Sequence, residues 1–267
     1  MNTSDGENPH HIKAVFFDID GTLISFKTGK IPESTQNALK KLREKGIKVI
    51  VATGRSINSL HHISHLEFDG FITFNGAYCV TTSRELISRY TIAPADIESL
   101  IRYAGEAPLS YSLMYEDKVE INDATPEVVG MYAHVNLPVP PVHTEYIDME
   151  NVLQANIFLR PEAEEEFMEK VMPNSISSRW TPLFADVNAG GITKQLGIEN
   201  FCTHFGIDTA DTMAFGDGGN DISMLKFVKI GVAMGNANDA VKQIADFVTD
   251  EVDEHGIERA LIRFGLL

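Results

Sequence analysis

The run Ala14-Val15-Phe16-Phe17-Asp18-Ile19-Asp20-Gly21-Thr22-Leu23 constrains the fold more than any other stretch of this chain. Four successive apolar residues read as a strand buried on both faces, and such strands occupy the middle of parallel sheets. The strand delivers two carboxylates, two residues apart, onto a Gly-Thr turn. The carboxyl ends of parallel strands are where open α/β sheets hold their ligands. Carboxylates this close repel unless a cation or a division of labour separates them. That points to one as nucleophile or metal ligand and the other as acid/base. An Asx-type turn before Gly21 is the simpler account of the same residues, and the rest of the chain decides between the two.

A helix follows: Ile31-Pro32-Glu33-Ser34 marks its start, Ala38, Leu39 and Leu42 recur at helical spacing, and Gly46 ends it. Ile47 to Ala52 is a second apolar strand, closing on Thr53-Gly54-Arg55. Strand, helix and strand make a βαβ unit whose crossover is right-handed. A helix over 56–66 and a third strand over 70–74, turning at Asn75-Gly76, continue the pattern. From about Thr82 the texture changes. Strand-like stretches (110–115, 152–159) alternate with amphipathic helices, and prolines gather at Pro138, Pro140 and Pro141. Pro161 opens a helix whose acidic run over 162–166 reads as a solvated face. At Ala185-Asp186-Val187 the first texture resumes, with strands at 212–215 and 230–233 and a last helix over 257–264. The prediction is an α/β protein. A Rossmann-like parallel-sheet core spans 12–82 and 185–267, an inserted α+β domain spans 83–184, and residues 1–11 form a loose polar tail.

Composition excludes several classes. A net charge of −16 argues against nucleic acid, which is bound through excess Lys and Arg. It leaves a small anionic substrate open, because physiological salt screens bulk charge beyond about 8 Å. Cys79 and Cys202 form no disulfide framework and no metal motif. No apolar run approaches the roughly 20 residues of a membrane span, and the N-terminus lacks the apolar region of a signal peptide. The expected setting is the cytoplasm, with no membrane and no protein partner evident. His61 and His65 stand four apart, a zinc-like spacing, but without an acidic third ligand they read as a solvated helix face.

A second strand also ends in an acid: Met213-Ala214-Phe215-Gly216-Asp217-Gly218-Gly219-Asn220-Asp221. Asp217 at the strand end suits a hard cation bound through oxygen. Gly218 and Gly219 permit close backbone approach, and Asp221 lies near a helix start, where a plain N-cap is the simpler account. Thr53, with the amides after it, suits a phosphoryl oxygen. Lys194 follows the glycine turn Gly190-Gly191 at a helix start, against the dipole preference, which hints at a bound anion.

In this order, Asp18-Ile19-Asp20-Gly21-Thr22, Thr53-Gly54-Arg55, Lys194 and Gly216-Asp217-Gly218-Gly219-Asn220-Asp221 strongly resemble the haloacid dehalogenase superfamily of phosphohydrolases. The position of the insert, with Asn75-Gly76-Ala77 and Gly231-Val232-Ala233-Met234-Gly235-Asn236-Ala237, is similar to the Cof-type class IIB branch, near bacterial hexose-phosphate phosphatases. The resemblance implies a Mg²⁺-dependent phosphatase for small phosphorylated metabolites, chiefly sugar phosphates. It implies Asp18 as nucleophile, Asp20 as general acid and base, and Lys194 as a catalytic cation. Asp18, Asp20 (through its carbonyl) and Asp217 would hold the metal, supported by Asp221. Thr53, Gly54, Asn220 and Lys194 would bind phosphate or substrate. Some relatives carry another Lys just before Lys194, but Ala189-Gly190-Gly191 stand there, so Lys194 acts alone. Arg179 and Trp180 suit sugar-phosphate contacts from the insert, with a core position as the simpler account of its only Trp, and the insert is expected to act as a lid. The alternatives are a phosphomutase, or a silent phosphosugar-binding regulator, against which the paired acids argue. Carbon–halogen hydrolysis is disfavoured by Asp20.

Overall fold

Ala14–Phe17 (β1) lies inside the sheet it was expected to centre, with no side chain reaching solvent. The computed structural model describes residues 11–134, 137–143, 146–179 and 181–267. After β1 come α1 (Glu33–Glu44), β2 (Lys48–Ala52), β3 (Gly70–Thr73), β4 (Tyr78–Thr81) and β5 (Leu86–Arg89). Next are α2 (Pro94–Glu106), β6 (Ser110–Met114), β7 (Val119–Ile121), α3 (Pro126–His134), β8 (Gln154–Phe158), α4 (Glu164–Val171), β9 (Ser175–Ser178) and β10 (Ala185–Ala189). The chain closes with α5 (Lys194–Phe205), β11 (Thr212–Gly216), α6 (Ile222–Phe227), β12 (Ile230–Ala233), α7 (Asp239–Ile244), β13 (Phe247–Val248) and α8 (Gly256–Arg263).

Among the described residues the strands form two sheets. The first has the order β13-β12-β11-β1-β2-β3-β4-β5, parallel from β13 to β3 and antiparallel beyond. Its apolar residues alternate between two helical layers. Val15 and Phe17 share a cluster with Leu39 and Leu42 of α1 and Ile257 and Leu261 of α8. Ala14 and Phe16 share the opposite cluster with Ile198 and Phe201 of α5 and Met224 of α6. Phe17 stacks on Phe215 at 5.1 Å, and Phe16 meets Phe201 edge-on at 5.8 Å. Burial on both faces is what the continuous apolar strands demand.

The second sheet, β7-β6-β8-β10-β9, is antiparallel throughout. Here the boundaries expected from sequence shift. β5 joins the first sheet through β4, and β10 pairs with β8 and β9 in the second, so the inserted lobe's elements run from Pro94 to Ala189 rather than 83–184. The reason is the alternation Ala185-Asp186-Val187-Asn188: Ala185 and Val187 pack into the insert's apolar cluster with Ala155 and Ile157. Asp186 and Asn188, on the other face, are buried too, but in a polar network rather than an apolar layer, whereas a parallel core strand is apolar throughout. Residues 56–66 form two short 3₁₀ turns, Ile57–Ser59 and His61–Ile63, instead of a helix. Ser, Asn and His, which compete with or restrict the helical backbone, fill that stretch, and His61 and His65 share no helix face. No described helix is long and apolar enough to cross a membrane.

Candidate active site

β11, β1 and β2 are adjacent and parallel, and the chain leaves β1 toward β2 on one side while β11 lies on the other. This is a topological switch point, where strand ends diverge and leave a crevice. Asp18 follows β1, Thr53 follows β2 and Asp217 follows β11, so the three residues singled out at separate strand ends converge on one place. All three line a cleft of about 660 Å³ between the two sheets, with Asp20, Gly54, Arg55 and Asn220.

Beneath Asp18, the fully buried Lys194 donates from Nζ to Asp18 Oδ1 and Asp221 Oδ1, both at 2.6 Å. The α5 N-terminus, capped by Thr193, disfavours a cation, and the two carboxylates more than offset that. The second oxygen of Asp221 accepts from the backbone N–H groups of Asp217 and Gly218, both at 2.9 Å. Asp221 therefore shapes the loop after β11 from inside rather than facing the cleft. Thr22 Oγ1 donates to Asp217 Oδ1 at 3.0 Å. Gly21, at φ +86°, makes this approach possible, because a Cβ there would lie 2.2 Å from Asp217 Oδ2.

Electrostatics follow from crowding. Oxygens of Asp18, Asp217 and Asp221 lie within 4.8 Å of one another. Burial, only partly offset by Lys194, pushes the Asp18 carboxyl up to about 7, and Asp221 and Asp20 add repulsion. Burial, then repulsion from Asp18 and Asp221, pushes Asp217 up to about 9. Lys194 shows the converse: burial opposes its charge, but Asp18 and Asp221 hold it above the usual lysine range. One ammonium thus faces three carboxylates whose donors are all hard oxygens. That donor set fits a divalent, oxygen-seeking cation.

Asp20 is fixed separately. Arg55 Nε and Nη2 donate to its two oxygens at 2.7 Å each, a fork-to-carboxylate pair. Thr53 Oγ1 accepts from the Arg55 N–H at 3.1 Å and shapes that turn. The sequence had flagged Thr53 and Gly54 but not Arg55 as a partner of Asp20, which stands 35 residues earlier. Also unforeseen is the polar wall contributed by the insert: Gln154 and Asn156 on β8 and Asp186 on β10, all lining the cleft. The alternation in Gln154-Ala155-Asn156-Ile157 and Ala185-Asp186-Val187-Asn188 was the signal available for them. Beyond this wall lie Met131, Tyr132, Leu137, Pro138, Pro140 and Phe184, which make the outer cleft apolar.

Of the two contacts expected from the insert, Arg179 is not among the described residues that line the cleft. The Arg179 guanidinium pairs with Glu164 and donates to the carbonyls of Leu159 (2.8 Å) and Pro182 (3.1 Å), ties internal to the insert. Three of its donors thereby tie a loop junction inside the insert. Trp180 lies outside the described residues.

Residues 15–261 match the family of haloacid dehalogenase-like hydrolases. The chain belongs to that family. YkrA of Bacillus subtilis, which bears a provisional phosphatase name, is 34% identical over 257 residues, spanning 96% of this chain and 98% of the relative. The structure of BT1666, a phosphatase of Bacteroides thetaiotaomicron, superposes with a TM-score of 0.89 at 40% identity, covering 97% of each chain. The subclass IIB sugar phosphatase BT4131 superposes at 0.88 with 39% identity, over 96% of this chain and 100% of the other. The protein is a phosphatase of the haloacid dehalogenase superfamily with the subclass IIB architecture. In that family's terms the first sheet is the core and the insert is the cap.

Proposed function

We propose that the protein hydrolyses small phosphorylated sugars with the help of Mg²⁺, through a phosphorylated Asp18. The observation that carries this reading is the buried cluster of Asp18, Asp217 and Asp221 around Lys194, with Asp20 two residues from Asp18 and held by Arg55. Mg²⁺ would be held by the Asp18 and Asp217 carboxylates and the Asp20 carbonyl, where it would neutralise phosphoryl oxygens and keep the acids ionised.

In the first half-reaction a carboxylate oxygen of Asp18 attacks phosphorus and the ester P–O bond breaks. Asp20 acts here in its protonated form, one oxygen still accepting from Arg55 and the other carrying the proton that it delivers to the departing alkoxide. In the second, Asp20 takes a proton from water, whose oxygen attacks phosphorus, and the acyl-phosphate bond breaks to return Asp18 and inorganic phosphate. Lys194 neutralises Asp18 from beneath, and the Thr53 hydroxyl with the Gly54 amide cradles phosphoryl oxygens, the electrostatic work that dominates such transfers. Asn220, at the cleft edge, steadies the bound phosphate or the sugar beside it.

The sugar-phosphate assignment rests on the likeness to BT4131, on a cleft large enough for a hexose phosphate, and on the amide and carboxylate groups of Gln154, Asn156 and Asp186 facing the site. Phosphate release from a panel of sugar phosphates, nucleotides and phosphopeptides, with and without EDTA, tests it. Turnover of free sugar phosphates that EDTA abolishes is expected. Efficient phosphopeptide hydrolysis, or activity indifferent to EDTA, would remove it.

A further inference from the structure

Asp186 is a buried carboxylate that the chemistry above does not use. Only 3% exposed, it accepts from three amides: Gln154 Nε2 at 3.2 Å and Asn156 Nδ2 at 2.5 Å on Oδ1, and Asn75 Nδ2 at 3.1 Å on Oδ2. Asn156 is held in turn by Ser112 Oγ, 2.9 Å from its Oδ1. Burial pushes Asp186 up to about 7 in spite of the amides. A charge in such a place is costly unless its partners need it.

Those partners lead to the catalytic loops. Gln154 Nε2 also donates to the Gly54 carbonyl at 3.2 Å, reaching from a cap strand into the turn between Thr53 and Arg55. Gly54 lies directly under the Asp186 carboxylate: a Cβ at Gly54 would stand 3.1 Å from Asp186 Oδ2 and 3.2 Å from the Asn75 amide. Asn75, at φ 55° and ψ 25°, donates its backbone N–H to the Thr53 carbonyl at 3.0 Å. Its side-chain Oδ1 accepts from Asn220 at 3.0 Å. Phe74 N–H closes the turn on the Arg55 carbonyl at 3.1 Å. One buried network therefore runs from the cap sheet to the Thr53–Arg55 turn, and that turn ends in the guanidinium forked onto Asp20.

We propose that Gln154 and Asp186 of the cap are positioning residues for Asp20, acting through the Thr53–Arg55 turn and the Arg55 guanidinium. The cap then serves the proton transfer itself as well as covering the substrate. When the cap is docked as in this structure, Arg55 stands where it orients Asp20; when the cap shifts, the turn loses the hydrogen bond at Gly54 and the carboxylate above it.

The proposal rests on Asp20 as general acid, and a double-mutant cycle separates the two ideas. The variants are Gln154→Met, which keeps length without donors, Asp186→Asn, which keeps shape, Asp20→Asn, and each cap change combined with Asp20→Asn. The readout is kcat/KM, which ends at formation of the phosphorylated Asp18 and so leaves out the water step common to all esters, on an alkyl phosphate, whose leaving group needs a proton, and on an aryl phosphate, whose leaving group does not. Each cap variant is expected to lower kcat/KM about tenfold on the alkyl ester and less than about threefold on the aryl ester. In the Asp20→Asn background it is expected to add almost nothing. Equal losses on both esters, or full additivity with Asp20→Asn, would overturn the positioning role. Equal losses on the two esters for Asp20→Asn alone would overturn the general-acid reading, and the proposal with it. If Gln154→Met melts early, Asp186→Asn carries the same comparison.

Discussion

In the core the functional residues stand one at each strand end, Asp18, Thr53 and Asp217, and converge because three parallel strands finish together. In the cap they lie along strand faces: Gln154 and Asn156 on β8 and Asp186 on β10, each flanked by apolar neighbours that turn the other way. The core arrangement concentrates charge, so that one ammonium serves three carboxylates. The cap arrangement dilutes it, with one carboxylate among three amides. Charge concentrated at a switch point suits chemistry on phosphorus, while amides spread on a sheet face suit recognition and alignment. The comparison predicts that substitutions in the core charge cluster of Asp18, Asp217 and Lys194 lower turnover on every substrate, and that cap substitutions act selectively.

The largest effect is expected at Asp18. Asp18→Asn keeps the shape but removes the nucleophile, so turnover should fall by at least about a thousandfold on every ester. Residual activity within about tenfold of wild type in a phosphate-release assay would break the core half of the comparison.

Lys194 is expected to matter most for stability. Lys194→Ala leaves Asp18 and Asp221 buried without their cation, and losing one partner of a buried pair costs about 3 kcal/mol or more. Urea denaturation in EDTA should show this loss, and Mg²⁺ should restore part of it. A variant as stable as wild type in EDTA would mean that Lys194 carries less of the balance than its burial requires.

Much of the core half was legible in the sequence because its signals are local. An apolar run ending in a polar side chain announces both the strand and the strand end where such side chains gather, and Asp18, Thr53 and Asp217 each carry that mark. The cap half was not legible for the opposite reason. Its partners, Asn75 with Asp186 and Gln154 with Gly54, are separated by 111 and 100 residues, and no local pattern encodes such pairing. β10 shows the same failure: Ala-Asp-Val-Asn next to a glycine turn reads as a returning core strand until its pairing with β8 is seen. Arg179 was singled out by residue type alone, and residue type does not reveal that Glu164 and two carbonyls already occupy it.

That difference sharpens the cap half of the comparison. Asn156→Ala and Met131→Ala, which alter the cleft wall, should change the ranking of substrates by about tenfold while leaving aryl-phosphate turnover nearly unchanged. Arg179→Ala should leave the ranking alone and lower the melting temperature, since it unties a junction inside the cap. kcat/KM across a substrate panel, measured beside thermal melts, checks both. A changed ranking without a changed melt for Arg179→Ala would return that residue to substrate recognition.

The smallest expected effect tests whether the core's crowded charge is truly uncompensated without metal. Asp217 has a pKa raised from 3.8 to about 9, so the folded chain binds this proton more tightly than the unfolded chain does. Its contribution to stability is therefore most favourable below the unfolded value and is lost progressively as pH rises from about 4 toward about 9. Asp217→Asn removes the ionisable group while keeping an oxygen that can accept from Thr22. In EDTA the variant should melt higher than wild type, by about 3 °C at the alkaline end for a chain of this size, and the gap should shrink toward about pH 5. Adding Mg²⁺ should reverse the order, because the wild-type carboxylate gains a partner that the amide binds poorly. A wild type that melts higher than Asp217→Asn in EDTA throughout this range would show that protein groups alone balance the acidic cluster, and the contrast between a core short of cations and a self-satisfied cap would fail at its most sensitive point.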